Sequence, residues 1–177
     1  MRPELLVDPV FGLLAVAALA LLFGAAGVAK MRDLARLRAV LEAYEIMPAA
    51  LARMVAVALP FIELGVAITL LIEALRPVAA GAAAGLLFIY GAGMALNLAR
   101  GRRDIDCGCE GYGQRRPIAG WMLVRNALLI GLAALAGAPQ SPRTLEIADA
   151  LTIFGGLAAF VLIYFAADEL LARRRLA

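Results

Sequence analysis

Histidine is absent from the 177 residues. That absence removes a Ser-His-Asp triad, a Cys-His dyad, an HExxH zinc site and a histidine-ligated haem in one step. Cysteine is almost absent too: Cys107 and Cys109 are the only two, and one residue separates them. They cannot build a disulfide framework, and the ring they would close is too small to staple a fold. Charge is also scarce, with Asp, Glu, Lys and Arg at 18%, against about 25% in soluble domains. In place of these, 64% of the chain is hydrophobic and the mean hydropathy is +0.88. One soluble core could not hide that much apolar side chain. The net charge of +3 and a pI near 9.2 would suit nucleic acid only if the seventeen Lys and Arg residues formed a patch. They lie between hydrophobic runs instead, so nucleic acid is not an expected partner and the lipid bilayer is.

A helix needs about 20 residues to cross the hydrocarbon. The sequence predicts an all-α, polytopic membrane bundle forming a single domain over 1–177, with five spans near 9–29, 54–74, 77–99, 117–138 and 148–170. The first run is expected to be a retained helix rather than a secretory signal, because Glu4 and Asp8 outnumber Arg2 before it and Lys30 and Arg32 follow it. Counting Lys and Arg in alternate loops sets the orientation. Thirteen fall in 30–53, 100–116 and the C-terminal tail, whereas Arg2, Arg76 and Arg143 lie on the other side. The expectation is a bacterial cytoplasmic (inner) membrane protein, N-terminus out and C-terminus in, with the loop 100–116 in the cytoplasm. Between the first two spans, Leu34, Leu37, Leu41 and Tyr44 recur at helical spacing. They predict a short amphipathic helix over 33–47, lying in the interface or packed on the bundle, that roofs the same side as the loop. Gly81 and Gly85 form a GxxxG, read as internal helix packing.

The loop reads Asp104-Ile105-Asp106-Cys107-Gly108-Cys109-Glu110-Gly111. A glycine between two thiols lets both sulfurs meet, and a disulfide across so small a ring is strained and easily reduced. Redox exchange through Cys107 and Cys109, with Asp106 beside them, is the leading chemistry. Two thiolates could also hold copper(I) or zinc, but no third Cys or His exists to complete a metal site, so no metal is assigned.

A second set of candidates lies within the spans. Glu63 and Arg125 fall at similar depths if their helices start near Met54 and Pro117, which predicts a buried ion pair. With Lys30, Asn97 and Asn126 they would converge on the cytoplasmic half of the bundle, where polar groups in an apolar setting suggest a cavity. Quinone reduction there, with Glu63 and Arg125 at the site, is one reading. A non-enzymatic assembly or transport factor with a structural or soft-metal-binding Cys loop is another.

The string RGRRDIDCGCEG over 100–111, followed by Trp121 and Arg125-Asn126, resembles the methylamine-utilisation MauE family. Gly27 to Asp33 (GVAKMRD) and Pro60 to Gly65 (PFIELG) are similar to the wider DoxX-like group. The resemblance covers roughly residues 11 to 135. It implies a cytoplasmic-membrane helical bundle associated with thiol redox, which assists maturation of a disulfide-rich methylamine dehydrogenase subunit alongside a thioredoxin-like partner. Many relatives carry an aromatic after the second cysteine, where this chain has Glu110. The implied maturation takes place outside, whereas the charge count puts Cys107 and Cys109 inside. Either the loop reaches into the bundle, or it draws reductant from the cytoplasm, or the topology is inverted.

Overall fold

The computed structural model describes residues 6–108 and 117–173. The described residues form six α-helices: α1 (Pro9–Arg32), α2 (Leu34–Ala43), α3 (Ala49–Leu70), α4 (Arg76–Ala99), α5 (Gly120–Gly137) and α6 (Ile147–Arg173). Five of them, all but α2, are long and apolar enough to cross a bilayer, so the protein is a polytopic membrane helical bundle and the lipid bilayer is its environment.

Local chemistry fixes the helix ends. Asp8 caps α1 by accepting from Val10 N at 2.9 Å, with Pro9 at the first helical position, where its missing N–H costs nothing. Asp33 both ends α1 and caps α2, accepting from Arg36 N at 2.9 Å. At the far end of α4, Gly101 takes φ +76 while Gly101 N donates to Leu98 O and Arg102 N to Asn97 O, each at 3.0 Å. That pair of bonds is a Schellman motif, and it turns the chain sharply into the cysteine loop.

The core is a packed layer of small and branched side chains, Ala15, Leu19, Phe23, Leu70, Ala83 and Ala133 among them, where α1, α3, α4 and α5 meet. Close approach rather than water exclusion holds such helices together in lipid. Gly27 gives the clearest case. A Cβ there would lie 2.9 Å from Leu64 Cγ and 3.0 Å from the Pro60 carbonyl, so only glycine lets α1 and α3 close at this level. One turn further along each helix stand Lys30 and Glu63. The GxxxG of α4 has the opposite character: a Cβ on Gly81 or Gly85 would meet nothing within 4 Å. These glycines face outward, and the internal packing expected of them falls to Ala79, Ala80 and Ala83 instead.

Helix α3 begins at Ala49, five residues before the expected Met54, because Arg53 sits on its exposed face and does not interrupt it. Its first turns run past the end of α1 and pack on α2 through Leu37, Ala56 and Leu59. The amphipathic segment is thus helical over Leu34–Ala43 and lies on the bundle. Helix α6 differs from the rest. It leans on α1, with Gly156 against Leu14, and none of its residues from 147 to 167 is buried.

At the end opposite the cysteine loop, Arg143 clasps Asp8 (2.9 and 3.0 Å) and Asp149 (2.7 and 3.0 Å), tying the start of α1 to that of α6. The Arg143 hydrogen bonds hold the Asp8 carboxyl below its usual value of 3.8. A depressed folded-state pKa stabilises above the unfolded value and is lost as the pH falls through the folded one. Thermal unfolding in detergent should therefore show a wild-type midpoint that drops as the pH is lowered below 3.8, and a smaller drop in Arg143→Ala. Equal drops would show that the clasp contributes nothing.

Candidate functional site

The candidate site has two parts, a docked thiol loop and a polar cavity, and one tyrosine lies between them.

The loop leaves α4 at Gly101 and returns to α5 through a short bridge at Asp106 and Pro117, with Ile118 N donating to Ile105 O at 2.9 Å. Helix α2 lies against it. Arg36 donates to Asp106 Oδ2 from Nε at 3.2 Å and from Nη2 at 2.7 Å, and Arg102 pairs with Glu45 at 2.9 Å. Tyr44 Oη donates to the carbonyl of Cys107 at 3.3 Å. Gly108 N donates to Asp106 Oδ1 at 3.4 Å, closing a tight turn in which Gly108 takes φ +68. A Cβ there would stand 2.8 Å from Val40 Cγ1, so glycine is required twice over, for its dihedral and for its lack of volume. The Cys107 side chain is half-buried against the cluster of Val40, Tyr44, Met94, Ile118 and Met122. Its Sγ lies 3.8 Å from Met94 Sδ. Cys109 lies outside the described residues. Among the described residues, no three His, Cys, Asp or Glu side chains gather to hold a metal ion.

The cavity, about 300 Å³, opens between α1, α5 and α6. Lys30, Glu63, Arg125 and Asn126 all line it, as the polarity pattern predicts, but the partnership inside differs from the expected one. Glu63, only 1% exposed, pairs with Lys30 at 2.5 Å through Oε1 rather than with Arg125. Tyr90 Oη donates to the same oxygen at 2.7 Å, and the Lys30 ammonium stands 5.4 Å from the Tyr90 ring centre. Arg125 stacks its guanidinium over Trp121 at 5.3 Å and over Tyr164 at 5.7 Å. The depth argument fails because the helix starts move in opposite senses. Glu63 is about 21 Å along α3 and Arg125 about 8 Å along α5 at a rise of ~1.5 Å per residue, counting from Ala49 and Gly120.

Asn126 joins the wall by donating to Leu87 O at 3.1 Å, which links α5 to α4. Asn97 does not line the cavity. It is fully buried and donates back to Gly93 O at 3.2 Å within its own helix. Asp106 belongs to the loop, where it anchors Arg36. Sequence reasoning missed Tyr90, Met94, Arg36 and Tyr44. Tyr90, Met94 and Asn97 are spaced four and three apart, which puts them on one face of α4, and that spacing was the available signal. Tyr90 packs against the cluster that holds Cys107 while its hydroxyl reaches Glu63 in the cavity.

Residues 8–139, most of the chain, match the family model described as methylamine utilisation protein MauE. The methylamine utilization protein MauE of Paracoccus denitrificans is 36% identical over 154 residues, covering 86% of this chain and 82% of the relative. Its counterpart from Methylophilus methylotrophus is 35% identical over 167 residues, or 91% and 86% of the two chains. That of Methylorubrum extorquens is 37% identical over 130 residues, or 73% and 69%. No solved structure matches the chain. With the matched region running from the capping Asp8 through the cysteine loop and α5, the chain belongs to the MauE family.

Proposed function

We propose that this chain is an integral membrane thiol-disulfide redox protein serving methylamine utilisation, in which Cys107 and Cys109 cycle between dithiol and disulfide with a thioredoxin-like partner to support maturation of a secreted protein. The observation that carries the reading is the loop itself. Arg36, Tyr44 and Val40 of α2 hold Asp106, Cys107 and Gly108 in one docked turn at the basic end of the bundle. A CxC disulfide is strained and easily reduced, which suits exchange better than stapling. Each exchange moves two electrons and two protons between the pair and its partner, one dithiol becoming a disulfide as the other disulfide becomes a dithiol. The excess of Lys and Arg on the loop side supports a cytoplasmic placement, with the N-terminus outside.

Single-cysteine variants, Cys107→Ser and Cys109→Ser, should trap a mixed disulfide with a thioredoxin-like protein that wild type releases. If both thiols stay reduced in membranes and the double variant supports growth on methylamine as well as wild type does, the reading fails.

One observation favours a second reading, an assembly factor with a soft-metal site. Met94 Sδ at 3.8 Å gives Cys107 a second soft donor, the ligand type that selects copper(I). Copper retained through purification by wild type and lost in Met94→Leu would support it.

A further inference from the structure

We propose that the cavity between α1, α5 and α6 is a binding site for a membrane-soluble quinone, entered sideways from the lipid.

The argument starts with Glu63. Its Oε1 is engaged by Lys30 and Tyr90, but its Oε2 is buried with no hydrogen-bond partner. A buried acceptor left so is costly and calls for a donor. Beside it the Lys30 ammonium spends one of its three N–H donors on Oε1. The polar end of the cavity therefore offers an acceptor and a donor within one carboxylate's width. A quinone head fits both in turn, because its carbonyl oxygen accepts a hydrogen bond when oxidised and its hydroxyl donates one when reduced. A fatty acid offers an anionic acceptor only, and would set a second carboxylate against Glu63.

The remaining walls suit a ring and a chain. Phe23, Tyr90, Phe160 and Tyr164 give aromatic faces for a planar head. The volume holds a substituted ring but not a long tail, which needs an exit. Phe165, 53% exposed, lies in the cavity wall, so the space reaches the outer surface of the bundle. Helix α6 packs on α1, and among the described residues it has no extensive packing with α5, so the flank lies toward lipid. Assigning the quinone as the electron partner of the thiols rests on the redox reading above; its binding does not.

Trp121, the chain's single tryptophan, reports on the site through Arg125, whose guanidinium it stacks under. The test uses purified protein in lipid nanodiscs with both thiols blocked by N-ethylmaleimide, so that failure of thiol exchange cannot cause failure here. Titrated decylubiquinone should quench Trp121 saturably. Glu63→Gln should raise the half-saturating concentration of the reduced form, decylubiquinol, about tenfold, because only the quinol hydroxyl donates to the carboxylate. Ala26→Phe, which fills the cavity from α1, should abolish the saturable phase while leaving helix content unchanged. Non-saturable quenching in wild type, unchanged saturation in folded Ala26→Phe, or reversal of the quenching by equimolar oleate would overturn the proposal.

Discussion

Lys30→Met is expected to destabilise the bundle by about 3–5 kcal/mol, the cost of leaving a buried charge without its partner. Glu63 is 1% exposed and Lys30 7%, and the carboxylate keeps only the Tyr90 hydroxyl once the ammonium is gone. The lipid-facing surroundings offer no water to replace the lost partner. Unfolding by SDS titration in mixed micelles measures the loss. The companion variant decides what kind of interaction it is. Lys30→Met/Glu63→Leu removes both charges and fills similar volume, so it should recover most of the wild-type stability. A double variant as unstable as the single would mean that the damage lies in packing at the Gly27–Pro60 crossing. A single variant as stable as wild type would mean that the pair is solvated.

That pair also marks the limit of what the sequence discloses. The five apolar helices were legible because hydropathy over twenty residues is a sum, and one error barely moves it. The docking of α2 over the loop was legible in outline, since Leu34, Leu37, Leu41 and Tyr44 recur on one side. Which cation meets Glu63 was not. Depth counted from guessed helix starts assumes that helices begin in one plane, whereas α3 starts early and runs past the end of α1. Lys30 near a helix end has the sequence signature of a snorkelling anchor. Only the glycine at position 27, one turn before it, determines that α1 approaches α3 closely enough to bury the ammonium. Such a contact depends on two helices at once, and a pattern read along one chain segment carries half of it. Tyr90 was hidden for another reason: inside an apolar run its ring reads as core, and its hydroxyl matters only once Glu63 is known to be beside it.

Gly108→Ala is expected to free the thiol loop from α2. Two separate penalties meet at this residue. A left-handed φ of +68 costs a residue with a Cβ about 1–2 kcal/mol, and the new Cβ would stand 2.8 Å from Val40 Cγ1. The loop can escape both by lifting off α2, which breaks the Tyr44 bond to the Cys107 carbonyl and exposes a half-buried thiol. In a Cys109→Ser background, where only Cys107 reacts, maleimide labelling should then run more than about 5–30-fold faster, the change in open population that the 1–2 kcal/mol of the dihedral alone produces. Adding Val40→Ala removes the steric part and leaves the dihedral part, so the rate should fall back only partway. Gly101→Ala supplies the control: its φ is +76, but a Cβ there meets nothing within 4 Å, so it strains the end of α4 without pushing the loop from α2. If Gly108→Ala and Gly101→Ala accelerate labelling equally, backbone strain alone governs the thiol. If only Gly108→Ala does so, the contact with Val40 sets how often Cys107 is exposed, and α2 acts as the latch on the loop.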